Sequence, residues 1–163
     1  MNDLKDLFKS FKYAADGILY CIRHERNMRI HITCMLYMYS YLLFYDFFEL
    51  SRNQWALLLL ANALVIGGEL INTAVERAVD TATKKECESA KIAKDTAAGA
   101  VLIFALFSVV VGIAVLWQPE AFSELFAYYR DNPIMLAVFA VSVVVLTIFI
   151  FMPFRRKNKN GKK

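Results

Sequence analysis

The sequence predicts an all-α integral membrane protein: an N-terminal amphipathic helix in the membrane interface, followed by four transmembrane helices. Three observations carry this prediction. Hydrophobic residues make up 58% of the 163 and charged residues only 21%, with a mean hydropathy of +0.42. A soluble domain of that size cannot bury so much apolar side chain in one core. Four apolar segments recur, each near the roughly 20 residues a helix needs to cross about 30 Å of hydrocarbon. Lys and Arg also gather on alternate connections, as the positive-inside rule requires.

The first element spans 3–26. Leu4, Leu7, Phe8, Phe11, Ala15, Ile18, Leu19 and Ile22 recur at helical spacing, with Asp3, Lys5, Lys9, Lys12 and Asp16 elsewhere around the wheel. A basic amphipathic helix of this kind suits the inner interface; packing on a soluble partner is the alternative. The stretch has no apolar h-region and no small-residue cleavage site, so it does not read as a signal peptide.

Spans follow at about 29–48, 54–82 and 88–117, then an external connection at 118–133, a fourth span at 134–154 and a basic tail at 155–163. Helices satisfy their own backbone within lipid. The first span is the most dilute, with His31, Thr33 and Ser40, and its aromatics from Tyr37 to Phe48 crowd toward one end like an interfacial belt. Lys5, Lys9, Lys12, Arg23, Arg26 and Arg29 precede it; Arg77, Lys84, Lys85, Lys91 and Lys94 lie around the second turn-around; Arg155 to Lys163 close the chain. The other two connections carry only Arg52 and Arg130. Both termini are therefore expected on the cytoplasmic side of the cell membrane. The tail anchors the last helix and meets anionic headgroups, and no nucleic-acid partner is expected. Cys21, Cys34 and Cys87 are odd in number and lack CxxC spacing, which argues against a disulfide framework or a zinc site.

The second span ends in GELINTAVERAVD, residues 68–80. A carboxylate within hydrocarbon is expensive and faces a protein interior or marks a functional site. At about 100° per residue, Asn62, Asn72, Thr73, Glu76 and Asp80 fall within about 60° of Glu69. The stripe rises from inside the membrane toward the cytoplasm. In the third span, Glu88, Lys91 and Asp95 share a face with Lys94 beside them, and Ala97, Ala98, Gly99 and Ala100 permit close helix approach. Carboxylates at an inner interface suit Mg²⁺ shared with a nucleotide's phosphates, a lysine suits phosphate charge, and a deeper carboxylate suits a general base toward a hydroxyl. Phosphoryl transfer needs chiefly such positioning and charge, and at headgroup depth the hydroxyl belongs to a lipid alcohol. Interhelical hydrogen bonding and an ion path use the same residue types and stay open from pattern alone. Trp55 to Ala61 and the outer half of the third span are almost free of polar groups, which disfavours a conduit. No GxxxxGK[ST] loop occurs, since Gly67 and Gly68 sit within a helix.

GELINTAVERAVD, followed by AKIAKDTAAGAVL and preceded by HERNMRIH, resembles the signature of the small prokaryotic diacylglycerol kinases, a family that includes the undecaprenol kinases of Gram-positive bacteria. The resemblance covers about residues 4–117, so residues 1–117 are expected to form the kinase domain. It implies a homotrimer with shared active sites, ATP as phosphoryl donor, Mg²⁺, and a lipid alcohol substrate. HERNMRIH favours undecaprenol over diacylglycerol. The resemblance implies Glu69 as the general base, with Asn72 beside it, and Glu25 and Glu76 as magnesium ligands. Lys94 would offset developing charge. Tyr13, Glu25, Glu76, Asp80, Glu86, Cys87, Lys94 and Asp95 fall at nucleotide positions, and Glu69, His31 and Arg29 at the lipid-substrate site. Two departures stand out. Cys87 occupies the place of the family's His, and a thiol lacks the donor and acceptor pattern of an imidazole. The fourth span has no counterpart in most relatives.

Overall fold

The computed structural model describes residues 2–83 and 87–152, with side chains from Leu4 onward. Within these, the chain forms six helices: α1 (Asn2–His24), α2 (Arg26–Phe44), α3 (Arg52–Ala82), α4 (Glu88–Leu116), α5 (Pro119–Asp131) and α6 (Pro133–Phe151). Three are long and apolar enough to cross a membrane: α3, α4 and α6. The chain is thus an all-helical membrane protein. At 19 residues α2 is long enough, but Arg26, Arg29, His31, Thr33 and its tyrosines lower its hydropathy.

Local chemistry sets the boundaries. Ser51 and Gln54 form a reciprocal cap on α3: Gln54 N–H donates to Ser51 Oγ at 3.3 Å, and Ser51 N–H donates to Gln54 Oε1 at 2.8 Å. This occupies two of the amide donors that a helix start leaves orphaned. Glu25 is the extended residue between α1 and α2. Pro119 and Pro133 open α5 and α6, where a fixed φ and a missing N–H cost nothing. The stretch 118–133, expected only as a connection, therefore holds the helix α5, which starts at Pro119 and ends two residues before Pro133. α2 ends four residues earlier than the expected span, at Phe44. Tyr45, Phe47 and Phe48 leave it to pack on α5, with Tyr45 to Tyr128 at 5.3 Å and Phe48 to Phe122 at 5.5 Å between ring centres.

α3 and α4 form an antiparallel hairpin that is the most extensive helix pair. Gly68 sets its spacing: a Cβ there would stand 2.8 Å from Phe104 Cδ2, nearer than packed carbons approach. Leu58 and Val65 on α3 and Val101 and Val115 on α4 are buried. α2 lies beside α3, and α6 covers the back of α2. Tyr37 Oη bonds Ser142 Oγ at 3.0 Å, and eight residues earlier on α2 Arg29 Nε donates to the Ile150 carbonyl at 3.0 Å. Ser142 and Ile150 are likewise eight residues apart, so α2 and α6 run antiparallel in register.

Candidate active site

The polar stripe of α3 faces two neighbours. Glu69 points toward α2: its side chain is only 3% exposed, and its Oε1 stands 3.5 Å from His31 Nε2, which is 25% exposed. The close approach at Gly68 turns this face of α3 away from α4. Thr73 Oγ1 donates to the Glu69 carbonyl at 2.9 Å. About one turn onward, Asn72 Nδ2 donates to Glu76 Oε1 at 3.2 Å, while Asn72 Oδ1 is buried without a hydrogen-bond partner among the described residues. At the end of α3, Asp80 pairs with Lys94 of α4. Asn62, about two turns before Glu69 on α3, donates to Tyr39 Oη at 2.9 Å and holds α3 to α2.

Glu25 completes the cluster from the α1–α2 junction. Burial pushes its carboxyl above the usual range, and the charges of Glu76 and Glu69 push it further, against Arg77 and His24. The charges of two α3 carboxylates thus act on a third at the α1–α2 junction, and burial raises that one's proton affinity.

The other expected site residues are distributed as follows. Tyr13 is 69% exposed on α1, on the face that carries Tyr20 and His24, and about 10 Å along the axis from Tyr20. Asp95 is exposed beside Lys94. Cys87 caps α4 without a side-chain bond and is exposed. Arg29 is buried and donates to the carbonyls of Ile22, Arg23 and Ile150, so it ties the ends of α1 and α6 together behind α2. Glu86 and the tail at 155–163 lie outside the described residues.

One group escaped sequence reasoning. Tyr20 and His24 stack at 4.2 Å between ring centres, and the Arg77 guanidinium lies 5.1 Å over the Tyr20 ring. The i, i+4 spacing of Tyr20 and His24 was visible, but their meeting with Arg77 depends on how α1 docks against α3.

Among the described residues, no three His, Cys, Asp or Glu side chains converge closely enough to hold a metal ion by themselves. Magnesium rarely demands that; it is held by one or two carboxylates with water and phosphate oxygens. Glu25, Glu76 and Asn72 Oδ1, which lacks a partner among the described residues, are hard-oxygen donors of the kind such an ion takes.

The model of prokaryotic diacylglycerol kinase matches residues 12–116. The chain is 39% identical over 116 residues to an undecaprenol kinase of Bacillus subtilis (strain 168), covering 70% of this chain and 90% of that protein. It is 40% identical over 115 residues to a diacylglycerol kinase of Synechocystis, covering 70% of this chain and 64% of that protein. A diacylglycerol kinase of Helicobacter pylori (strain J99) is 37% identical over 106 residues, which is 63% of this chain and 78% of that protein. No solved structure matches. The match spans α2, α3, α4 and most of α1, with every described residue of the carboxylate cluster inside it, and the chain belongs to the prokaryotic diacylglycerol kinase family.

Proposed function

We propose that this lipid kinase transfers the γ-phosphoryl group of ATP to the hydroxyl of undecaprenol at the cytoplasmic face of the cell membrane. The observation that carries the reading is the buried Glu69 beside His31, with Glu76 about two turns further along α3 and Glu25 near enough to feel the charge of both. The depth of Glu69 suits a hydroxyl at headgroup level, and the outer carboxylates suit a nucleotide arriving from water. Undecaprenol is preferred because the match extends over 90% of the undecaprenol kinase against 64% of the Synechocystis diacylglycerol kinase.

In the proposed mechanism Glu69 accepts the proton of the lipid hydroxyl as its oxygen attacks the γ-phosphorus in line, and ADP leaves. His31, the more exposed member of the pair, lies where the hydroxyl would approach. Asn72 holds Glu76 through its amide, and Glu76 and Glu25 would hold Mg²⁺. When bound, the ion would supply charge neutralisation on the nucleotide's phosphates. Lys94, held by Asp80, adds positive charge at the mouth. No covalent enzyme intermediate is needed.

The reading includes four membrane spans with both termini inside. α6 is long and apolar enough to cross, and α2 follows it in register from Arg29–Ile150 to Tyr37–Ser142, so α2 crosses the same depth. α1 leaves Leu4, Leu7, Phe8 and Phe11 exposed, as a helix lying in the interface would. A homotrimer accounts for a chain that buries few of its own side chains and leaves broad apolar faces on α3 and α4.

The test is a mixed-micelle assay of the full chain with γ-labelled ATP, Mg²⁺ and equal amounts of undecaprenol and a diacylglycerol. Label chiefly in undecaprenol is expected. Label chiefly in the diacylglycerol would overturn the substrate choice, and label in neither would overturn the reaction.

A further inference from the structure

We infer that Arg77 is the arm that grips the nucleotide's terminal phosphates, held ready on a ring platform formed by Tyr20 and His24; this rests on the kinase reading above. Arg77 follows Glu76 on α3 and is half-buried. Its guanidinium lies 5.1 Å over the Tyr20 ring, which is itself stacked on His24. The next residue after His24 is Glu25, so the platform puts the guanidinium beside the carboxylates of Glu25 and Glu76.

Arg77 differs from the other cations near the cluster in its bonding. Lys94 is paired with Asp80, and Arg29 is spent on three carbonyls. Among the described residues, the Arg77 guanidinium donates no hydrogen bond; it lies over a ring face and acts on Glu25 and Asp80 through charge alone. A guanidinium is permanently charged and presents five donors in a fork that matches phosphate oxygens two at a time. Held by cation–π attraction, it is placed without its donors being used. That is the arrangement expected of a group waiting for an anionic ligand. The ligand must also be one that tolerates Glu25, Glu69 and Glu76 close by. A polyphosphate carrying a divalent cation meets both requirements: the metal faces the carboxylates and the free phosphate oxygens face the arginine. Tyr13, on the same face of α1 as Tyr20 and His24, extends the ring row away from the cluster, where the nucleoside end would lie.

The inference predicts that Arg77 matters in proportion to the number of phosphates. The experiment is calorimetric titration of the full chain in detergent with the Mg²⁺ complexes of AMP, ADP and the non-transferable β,γ-imido analogue of ATP. Wild type, Arg77→Ala, Arg77→Lys and Tyr20→Leu are compared, with thermal unfolding of each as the check on folding. Loss of charge-assisted hydrogen bonds predicts that Arg77→Ala weakens the ATP analogue about tenfold or more and ADP less, with AMP nearly unchanged. Arg77→Lys keeps the charge but loses the fork, and falls between. Tyr20→Leu, which frees the arm, weakens the analogue about two- to fivefold. Equal loss for all three nucleotides, or no loss for any, would overturn the inference. Should Arg77→Ala not fold, the same graded comparison is read from Arg77→Lys and Tyr20→Leu. If the variants lose nucleotide binding with this gradation yet the wild type labels no lipid alcohol, the kinase reading falls and the Arg77 assignment stands. If it binds none of the nucleotides, both fall.

Discussion

At one end of the bundle, where α1, the start of α2 and the close of α3 meet, Glu69, Glu76 and Asp80 come from α3 and Glu25 from the α1–α2 junction. The buried oxygens left without partners among the described residues, Thr33 Oγ1 and Asn72 Oδ1, lie in this half. At the opposite end, α5 caps the chain with rings. Tyr41 Oη bonds Tyr129 Oη at 2.7 Å, Tyr45 packs edge-on to Tyr128, and Gln118 bonds both the N–H and the carbonyl of Glu49. The aromatic end satisfies its polar groups with one another, as a stabilising interface does. The carboxylate end pairs some of its polar groups but leaves Thr33 Oγ1 and Asn72 Oδ1 buried without partners among the described residues, which carries a cost in burial. If the proposed site is right, function and stability are separated along the bundle, and substitutions at the two ends should affect different measurements.

The largest effect is expected at Glu69. Glu69→Gln should lower phosphoryl transfer by about 10²–10⁴-fold, the usual worth of a general base, without shifting thermal stability. Glu76→Gln should raise the Mg²⁺ needed for half-maximal transfer about tenfold or more, in line with lost metal support, which a magnesium titration of the rate reads directly. Between the ends lies Gly68. Gly68→Ala forces its Cβ against Phe104 and should cost about 1–3 kcal/mol of stability through overpacking. Gly67→Ala, with open space around it, should cost nothing in the isolated chain. A large loss at Gly67 would place a neighbouring subunit there. The smallest effect is expected at the aromatic end. Tyr129→Phe removes one hydrogen bond worth about 1 kcal/mol and should lower the temperature of irreversible inactivation while leaving the rate at 25 °C unchanged. A rate change there without a stability change would dissolve the separation of the two ends.

The sequence made part of this separation legible. The stripe from Asn62 to Asp80 was readable because helical spacing is a local property, and its partners' residue types were visible too. Which neighbour each stripe residue faces was not readable. Glu69 turns to His31 on α2 and Asp80 to Lys94 on α4 because Gly68 brings α3 against Phe104, and that rotation is a tertiary fact. Arg29 matched a substrate position by resemblance, yet its guanidinium is engaged by carbonyls at the ends of α1 and α6, contacts separated by up to 121 positions. The α5 helix was missed although Pro119 and Pro133 marked its limits, because its amphipathic, tyrosine-rich sequence reads equally as a connection. The Arg77–Tyr20 contact likewise requires α1 to dock on α3, which no window of sequence encodes.

The most direct test of the account is single-turnover transfer from γ-labelled Mg²⁺–ATP to undecaprenol by the wild type and by Glu69→Gln, with bound nucleotide measured on the same samples. The account predicts equal nucleotide occupancy, rapid labelling of undecaprenol by the wild type, and labelling at least about a hundredfold slower in the variant. Equal rates in the two proteins would contradict it, because the buried carboxylate at the centre of the site would then have no part in moving the proton.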